Sequence, residues 1–109
     1  MKIENVPFAT TDWSAVPVTE APGETGVVRA RMVEAGSLRL RQVEFSANYR
    51  ADHWCPRGHV VLVQQGALTV ELGDGRRFDT VAGMSFHVAD DDGEHMIYTA
   101  TGATVFIVD

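Results

Sequence analysis

Glycines recur along most of this sequence and limit the length of every segment between them. From Gly36 onward they stand mostly eight to ten residues apart, at Gly58, Gly66, Gly75, Gly83, Gly93 and Gly102. The segments between them are short and rich in Val, Leu, Phe and Ile, and none has a sustained helical period. Short strands separated by regular turns are typical of a β-sandwich or β-barrel. We therefore predict an all-β fold.

The strand segments can be located by their apolar residues. They are VVRARMV from Val27, SLRLRQVEF from Ser37, HVVLVQ from His59, ALTVEL from Ala67, RRFDT from Arg76, MSFHVA from Met84, HMIYT from His95 and ATVFIV from Ala103. Gly73-Asp74-Gly75 predicts a hairpin turn between Leu72 and Arg76, because glycine adopts positive φ without strain and aspartate tolerates it.

The first 26 residues have a different composition, with three prolines and two glycines. We expect residues 1–26 to form an irregular arm, with one helical turn near Asp12 to Val16. The arm either packs on the barrel or a partner subunit or is a loosely ordered tail. Residues 27–109 would form the barrel, and a chain of 109 residues leaves room for one domain.

Charge and cysteine content restrict the partners and the compartment. The net charge of -6 opposes binding to phosphate backbones or anionic membranes, so we expect a small-molecule ligand rather than nucleic acid or a membrane. Cys55 is the single cysteine, which excludes a disulfide within the chain and favours a reducing compartment. No apolar leader or membrane-length apolar run occurs, so we expect a cytoplasmic location.

Three side chains of metal-ligand type crowd the stretch ADHWCPRGH. On a strand, His53 and Cys55 would project to one side and Trp54 to the other, and Pro56-Arg57-Gly58 would then turn the chain to begin a new strand at His59. Imidazole and thiolate together suit zinc, iron, nickel or copper. The alternatives are a metal-free polar cluster and a Cys55 that is only a small buried apolar residue.

The same residues and the spaced glycines resemble the cupin superfamily of small β-barrels. The first cupin motif places H-x-H before a glutamate and a glycine, and the second runs from a glycine through P-x-G to a histidine. Their places are taken here by His53, Cys55, His59 and Gly66, and by Gly83 to His95 with one extra residue. The sequence departs from the motifs: cysteine replaces the second histidine, histidine replaces the glutamate, and residues 89–92 lack P-x-G.

A closer resemblance is to small bacterial proteins described as DHCW-motif cupins. It extends over nearly the whole chain, through Asp52-His53-Trp54-Cys55, Gly58-His59, Gly83-Met84-Ser85, Phe106 to Asp109 and the arm PFATTDWSAVP. This resemblance implies a jelly-roll cupin barrel, commonly a homodimer, with a metal held by histidines and a cysteine. From the ligand types we expect a divalent transition metal, with zinc or iron ahead of nickel or copper. The implied ligands are His53, Cys55, His59 and His95. It implies no specific reaction.

Further residues are candidates for substrate binding or for orienting the ligands: Arg41, Asp52, His87 and Tyr98. Arg39 and Arg41 alternate with leucines; they would face the cavity and clamp a carboxylate if the leucines pack outward, and would face water otherwise. Val43 and Phe45 would lie on the same strand face as these arginines. A face that carries both kinds of residue requires either a bulge or a strand that is buried on both faces. Asp52 would orient a histidine, Tyr98 would line the cavity, and His87 is a cavity acid or base or else a surface residue.

Three functions are compatible with these residues. The first is a metal-dependent enzyme of oxygenase, isomerase or lyase type acting on a small organic molecule. The second is a metal or small-ligand sensor, and the third is a barrel stabilised by structural zinc. An enzyme requires an open coordination position beside a cavity, so the number of protein ligands separates these functions.

Overall fold

The computed structural model describes residues 3–109, and within that range the chain is all-β, as predicted. A 3-10 turn at Trp13–Ala15 precedes the strands. The strands of the described residues are β1 Thr19–Pro22, β2 Val27–Ala35, β3 Leu38–Phe45, β4 Tyr49–Arg50, β5 His59–Leu72, β6 Arg77–Val81, β7 Ser85–Val88, β8 His95–Thr99 and β9 Ala103–Val108. No helix of the described residues is long and apolar enough to cross a membrane.

All strand pairs are antiparallel, and β5 is the strand on which the sheet curls. The order runs β1-β2-β3-β9-β5-β8-β4, with β6 and β7 also paired to β5. The first part of β5 pairs with β7 and β9, and its second part pairs with β6 and β8. A register shift in the pairing with β9, between Val63 and Gln65, lies just before the change of partners at Ala67. The sheet therefore curls into a half-barrel whose two halves share one strand.

The register shift explains a difference from the sequence prediction. HVVLVQ and ALTVEL were expected as two strands, whereas the structure joins them in β5. Before the shift the buried side chains are those of Val61 and Val63, and after it they are those of Leu68 and Val70. The buried positions along β5 therefore change from odd-numbered to even-numbered residues, as an extra residue in one strand requires. Gly66 follows the shift with φ +77°, a conformation that glycine adopts without strain.

The core lies inside the curl and is built from alternate residues of the central strands. Val63 and Val105 are fully buried, and Leu68 is 1% exposed. Each such side chain contributes about 1.5–3 kcal/mol through burial. The remaining members of the cluster are Val43, Phe45, Tyr49, Ala51, Val61, Met96, Ala103 and Ile107.

The N-terminal segment packs on the outside of this sheet. β1 pairs with β2, and the Trp13 ring meets Phe106 edge-on, with 5.6 Å between ring centroids. Asp12 caps the 3-10 turn by accepting a hydrogen bond from the Ser14 backbone N–H. Residues 1 and 2 of the expected arm lie outside the described residues, and the division at residue 26 stays a prediction.

Two local expectations have clear outcomes. The Gly73-Asp74-Gly75 turn is present, with the Leu72 N–H donating to the Arg76 carbonyl oxygen at 2.8 Å. β3 pairs with β2 and β9 without any bulge, so the bulge considered for Arg41 and Val43 is absent. Arg39, Arg41, Val43 and Phe45 all line the same interior cavity. One strand face is thus polar at one end and apolar at the other.

Candidate metal site

The stretch before Pro56 is a loop rather than the strand we expected. Asp52 and His53 form an exposed bend, and Cys55 makes an isolated antiparallel bridge to His95. The Cys55 N–H donates to the His95 carbonyl oxygen at 2.8 Å, and the His95 N–H donates to the Cys55 carbonyl oxygen at 3.0 Å. A residue before proline is restricted to extended backbone, which suits this bridge. Cys55 is therefore fixed by its backbone beside the start of β8.

Two histidines complete a cluster with Cys55 because each is the first residue of a core strand. His59 begins β5 and His95 begins β8. Their Nε2 atoms lie 2.9 Å apart, with the rings nearly perpendicular at 89°. One ligand atom from each of Cys55, His59 and His95 lies within 4.8 Å of the other two. Three of the four predicted ligands are thus brought together.

The fourth predicted ligand, His53, stands apart from this cluster. Its side chain is 72% exposed, and its Nδ1 lies 2.7 Å from Asp52 Oδ1. The parity argument that placed His53 beside Cys55 required a strand, and the bend removes that alternation. His53 nevertheless lines the same cavity as the cluster. Its role as a ligand stays a prediction.

Asp109 supports the cluster from behind His59. Its side chain is 5% exposed, and its Oδ2 lies 3.4 Å from His59 Nδ1. Burial alone would raise the pKa of Asp109, but hydrogen bonds from Arg39 and the charges of Arg41 and Arg39 lower it to about 2. The carboxylate is therefore ionised at neutral pH. An ionised carboxylate can only accept hydrogen bonds, so it favours the His59 tautomer that carries its proton on Nδ1 and leaves the Nε2 lone pair facing the cluster.

Asp109 has no local signal in the sequence beyond its place in the terminal segment of the resemblance. Its partner Arg39 is 70 residues away, and the two meet because β3 pairs with β9. Arg39 holds the carboxylate with two hydrogen bonds, Nε to Oδ1 at 3.1 Å and Nη2 to Oδ2 at 2.8 Å. Arg41 adds a third, from Nη2 to Oδ2, at 3.2 Å.

Both cluster histidines lie in surroundings that disfavour their charged forms. Burial lowers the pKa of His59, which the hydrogen bond to Asp109 opposes without reversing. Burial also lowers the pKa of His95, and the neighbouring His59 lowers it further. At neutral pH both imidazoles are therefore neutral, which is the form that binds metal ions. His95 Nδ1 is buried and has no hydrogen-bond partner among the described residues.

The cluster forms part of the wall of an interior cavity of about 540 Å³. This volume is within the range of small-molecule sites, about 300–1,000 Å³. The polar part of the wall comprises His53, Cys55, Arg39, Arg41, Arg57, His59 and His95. The apolar part is formed by core residues that include Val61, Leu68, Met96, Val105 and Ile107.

The other predicted site residues take different positions. Arg41 lines the cavity, which was one of the two positions considered for it, the other being the solvent-facing surface. His87 is exposed opposite Val60, on the outer face of the sheet. The Tyr98 ring lies 5.1 Å from the Arg50 guanidinium carbon, and Asp52 pairs with His53 at the exposed bend. Among the described residues that line the cavity, neither His87, Tyr98 nor Asp52 occurs.

Comparison with known proteins identifies the fold. No protein-family model matches the sequence, and no curated protein matches it significantly. A cupin-superfamily sugar phosphate isomerase from Silicibacter pomeroyi is 16% identical, with a TM-score of 0.71 over 92% of this chain and 74% of that one. A cupin-like protein from Thermotoga maritima is 17% identical, with a TM-score of 0.68 over 83% of this chain and 74% of that one.

A third solved structure is Fe(II)-HppE with the alternative substrate (S)-1-HPP. It is 13% identical, with a TM-score of 0.76 over 94% of this chain and 60% of that one. At such identities the likeness establishes architecture alone. The chain has the cupin jelly-roll fold, which confirms the predicted fold class.

Proposed function

We propose that the protein binds one divalent transition metal ion through Cys55, His59 and His95. The observation that carries this proposal is their convergence, with one ligand atom of each within 4.8 Å of the others. The donor set fits such an ion. Two imidazole nitrogens bound to one ion at about 2.0–2.1 Å each lie no more than about 4.2 Å apart. The separation of 2.9 Å between the two Nε2 atoms satisfies that limit.

We further propose that this centre serves an enzyme of oxygenase, isomerase or lyase type acting on a small organic molecule. A site with three protein ligands leaves a position for water or substrate, and the cavity of about 540 Å³ lies beside it. The sugar phosphate isomerase and Fe(II)-HppE among the structural neighbours support this class of function without identifying a substrate. A bound ion would supply Lewis acidity or redox chemistry at the open position.

The residues of this chain would prepare that position in distinct ways. The Cys55 sulfur would bind as a thiolate and contribute the single negative charge among the three ligands. Asp109 would fix the ring of His59 and the proton on its Nδ1. Apolar residues such as Met96 and Ile107 would exclude water from the remainder of the cavity.

A second candidate function is a closed site, either structural or sensory. His53 favours it, because this residue stands two positions from Cys55 and lines the same cavity. A rotation of the exposed His53 side chain toward the cluster would supply a fourth ligand. Four protein ligands in tetrahedral geometry are typical of structural zinc.

Metal analysis of variants separates these two functions. We expect about one equivalent of metal in the wild type and its loss in Cys55→Ser, His59→Ala and His95→Ala. His53→Ala should retain the metal if the site has three protein ligands, as should His87→Ala, which changes an exposed histidine. Retention in all three cluster variants would end the metal proposal. Loss in His53→Ala as well would favour the closed site.

Cobalt substitution provides a second readout of the same question. Cobalt bound to Cys55 should show a sulfur-to-metal charge-transfer band that is absent from Cys55→Ser. Weak visible bands of five- or six-coordinate cobalt would support an open position, whereas intense tetrahedral bands that His53→Ala alters would support closure.

A further inference from the structure

The cavity carries more positive than negative side chains at its polar end. Arg39, Arg41 and Arg57 line it, and the buried carboxylate of Asp109 pairs with Arg39 and Arg41. The protein as a whole is acidic, with a net charge of -6. A positively charged cavity in such a protein attracts anions locally. The two β3 arginines, however, are not equally available.

Asp109 accepts two hydrogen bonds from Arg39 but only one from Arg41. Arg39 gives both its Nε and its Nη2 to Asp109, so the edge of its guanidinium that binds carboxylates is already filled. Arg41 reaches the same carboxylate with Nη2 only. Its Nε is buried and has no hydrogen-bond partner among the described residues. Of the two β3 arginines, Arg41 is thus the one whose Nε is left to bind a ligand.

A buried donor without a partner is costly, which makes the unpartnered Arg41 Nε informative. A guanidinium N–H that loses water without gaining an acceptor destabilises the protein, because its lost hydration is not replaced. An acceptor that enters the cavity at Arg41 would remove that cost. Carboxylates match the planar arrangement of guanidinium donors and bind it with two parallel hydrogen bonds.

The apolar part of the cavity restricts what the carboxylate can be attached to. Val61, Leu68, Met96, Val105 and Ile107 line it, so an apolar group would be buried there. A highly charged ligand such as a sugar bisphosphate would leave polar groups without partners against this surface. The wall therefore suits a molecule with one anionic end and one apolar end.

We propose that the cavity binds a small monocarboxylic acid, with its carboxylate on Arg41 and its apolar part against Met96 and Ile107. This inference rests on the proposed function and names its substrate class. Asp109 Oδ2 contacts both Arg41, at 3.2 Å, and His59, at 3.4 Å. A carboxylate on Arg41 would lie in the cavity whose wall Cys55, His59 and His95 also form.

The test uses hexanoate as the probe and 1-hexanol as its uncharged equivalent, titrated by calorimetry into metal-free protein. Removing the metal matters because carboxylates also bind metal ions directly. We expect hexanoate to bind and 1-hexanol to bind at least about tenfold more weakly. Arg41→Gln should weaken hexanoate binding by about tenfold or more. Arg29→Gln, which changes a guanidinium that is 55% exposed, should leave it unchanged.

Arg41→Lys serves if Arg41→Gln does not fold. Lysine keeps the charge beside Asp109 but lacks the paired donors, so hexanoate should bind several-fold more weakly than to the wild type. Equal hexanoate affinity in the wild type and the Arg41 variants would overturn the inference. Tighter binding of 1-hexanol or of inorganic phosphate than of hexanoate would overturn it as well.

Metal content, measured separately on the same proteins, distinguishes this failure from that of the metal centre. Arg41-dependent hexanoate binding in a protein that takes up no metal would support the carboxylate site while refuting the metal centre. The opposite result would be metal uptake that depends on Cys55 and the two histidines, together with equal hexanoate binding in the wild type and the Arg41 variants. It would refute the carboxylate site alone.

Discussion

The carboxylate of Asp109 and the imidazole of His59 are 50 residues apart in sequence and meet with 3.4 Å between Oδ2 and Nδ1. Strand pairing produces this contact, because β9 carries Asp109 to the end of the sheet where β5 begins with His59. The same carboxylate binds Arg39 and Arg41. Asp109 therefore links the cluster of Cys55, His59 and His95 to two arginines of the cavity, Arg39 and Arg41.

Replacing Asp109 by asparagine should weaken metal binding. Loss of a group that orients a ligating histidine typically costs about 10–100-fold in metal affinity, and we expect a loss of that size for Asp109→Asn. Competition with a chromophoric chelator measures it. Asp79→Asn, which changes an exposed carboxylate that accepts a hydrogen bond from Thr69, is the control and should bind metal normally. Unchanged affinity in Asp109→Asn would show that His59 needs no such support.

The same variant should be less stable even without metal. The pKa of Asp109 is lowered from 3.8 to about 2 in the folded protein, a difference worth about 2 kcal/mol at most. Chemical unfolding of metal-free protein at pH 7 measures this difference. The contribution of Asp109 is complete above its unfolded pKa of 3.8 and is lost as pH falls through about 2.

Metal-free protein should also lose stability in a higher pH range, through the two cluster histidines. Burial lowers the pKa of His59 and of His95 from 6.5. As pH falls below 6.5, the unfolded chain therefore takes up protons that the folded protein does not, and the free energy of unfolding decreases. Urea unfolding between pH 7.5 and about 5 measures this slope. His59→Asn should flatten it, and His87→Gln, at an exposed position, should not.

The fold could be predicted from the sequence because its signals are local. Turn glycines and short apolar segments identified the strands, and the hairpin at Gly73-Asp74-Gly75 depends on residues adjacent in sequence. The joining of two expected strands into β5 was missed, because continuity through Gly66 depends on pairing with β9. A turn glycine and a glycine beside a bulge look alike until the partner strand is known.

The candidate site shows the same limit. Cys55, His59 and His95 are three of the four ligands that the cupin resemblance implies, and the structure brings them together. His53 was expected beside them on strand periodicity, which does not apply at an exposed bend. Asp109 was missed because the contact that gives it a role joins the ends of two distant strands. A motif can therefore indicate candidate ligands directly, whereas a supporting residue such as Asp109 can be identified only once the strand pairing is known.

Gly66 provides a test of the curl in β5. Alanine there would need φ +77°, and its Cβ would collide with the Gly102 carbonyl oxygen and lie 3.0 Å from Ala103 Cα. We expect Gly66→Ala to lower the free energy of unfolding by about 3 kcal/mol or more. Gly93→Ala is the matched control, since its φ is +79° with nothing within 4 Å of the added Cβ. Gly93→Ala should lower the free energy of unfolding by only about 1–2 kcal/mol. Equal losses in the two variants would show that the backbone of β5 can shift near Gly66 to accommodate the added Cβ.

The outer face of the sheet allows a test of the expected homodimer, which stays a prediction. Val60 is 43% exposed and Leu62 is 41% exposed, and their partners across β9 are Val108 and Phe106. These four apolar side chains form a patch that a second copy of the chain would cover.

Leu62→Asp places a charge in the patch and should shift the mass in light scattering from dimer to monomer at micromolar concentration. Val81→Asp changes a similarly exposed residue, 52%, at the end of β6, and should leave the mass unchanged. A monomeric wild type would refute the dimer, and a dimer that persists in Leu62→Asp would locate the interface elsewhere.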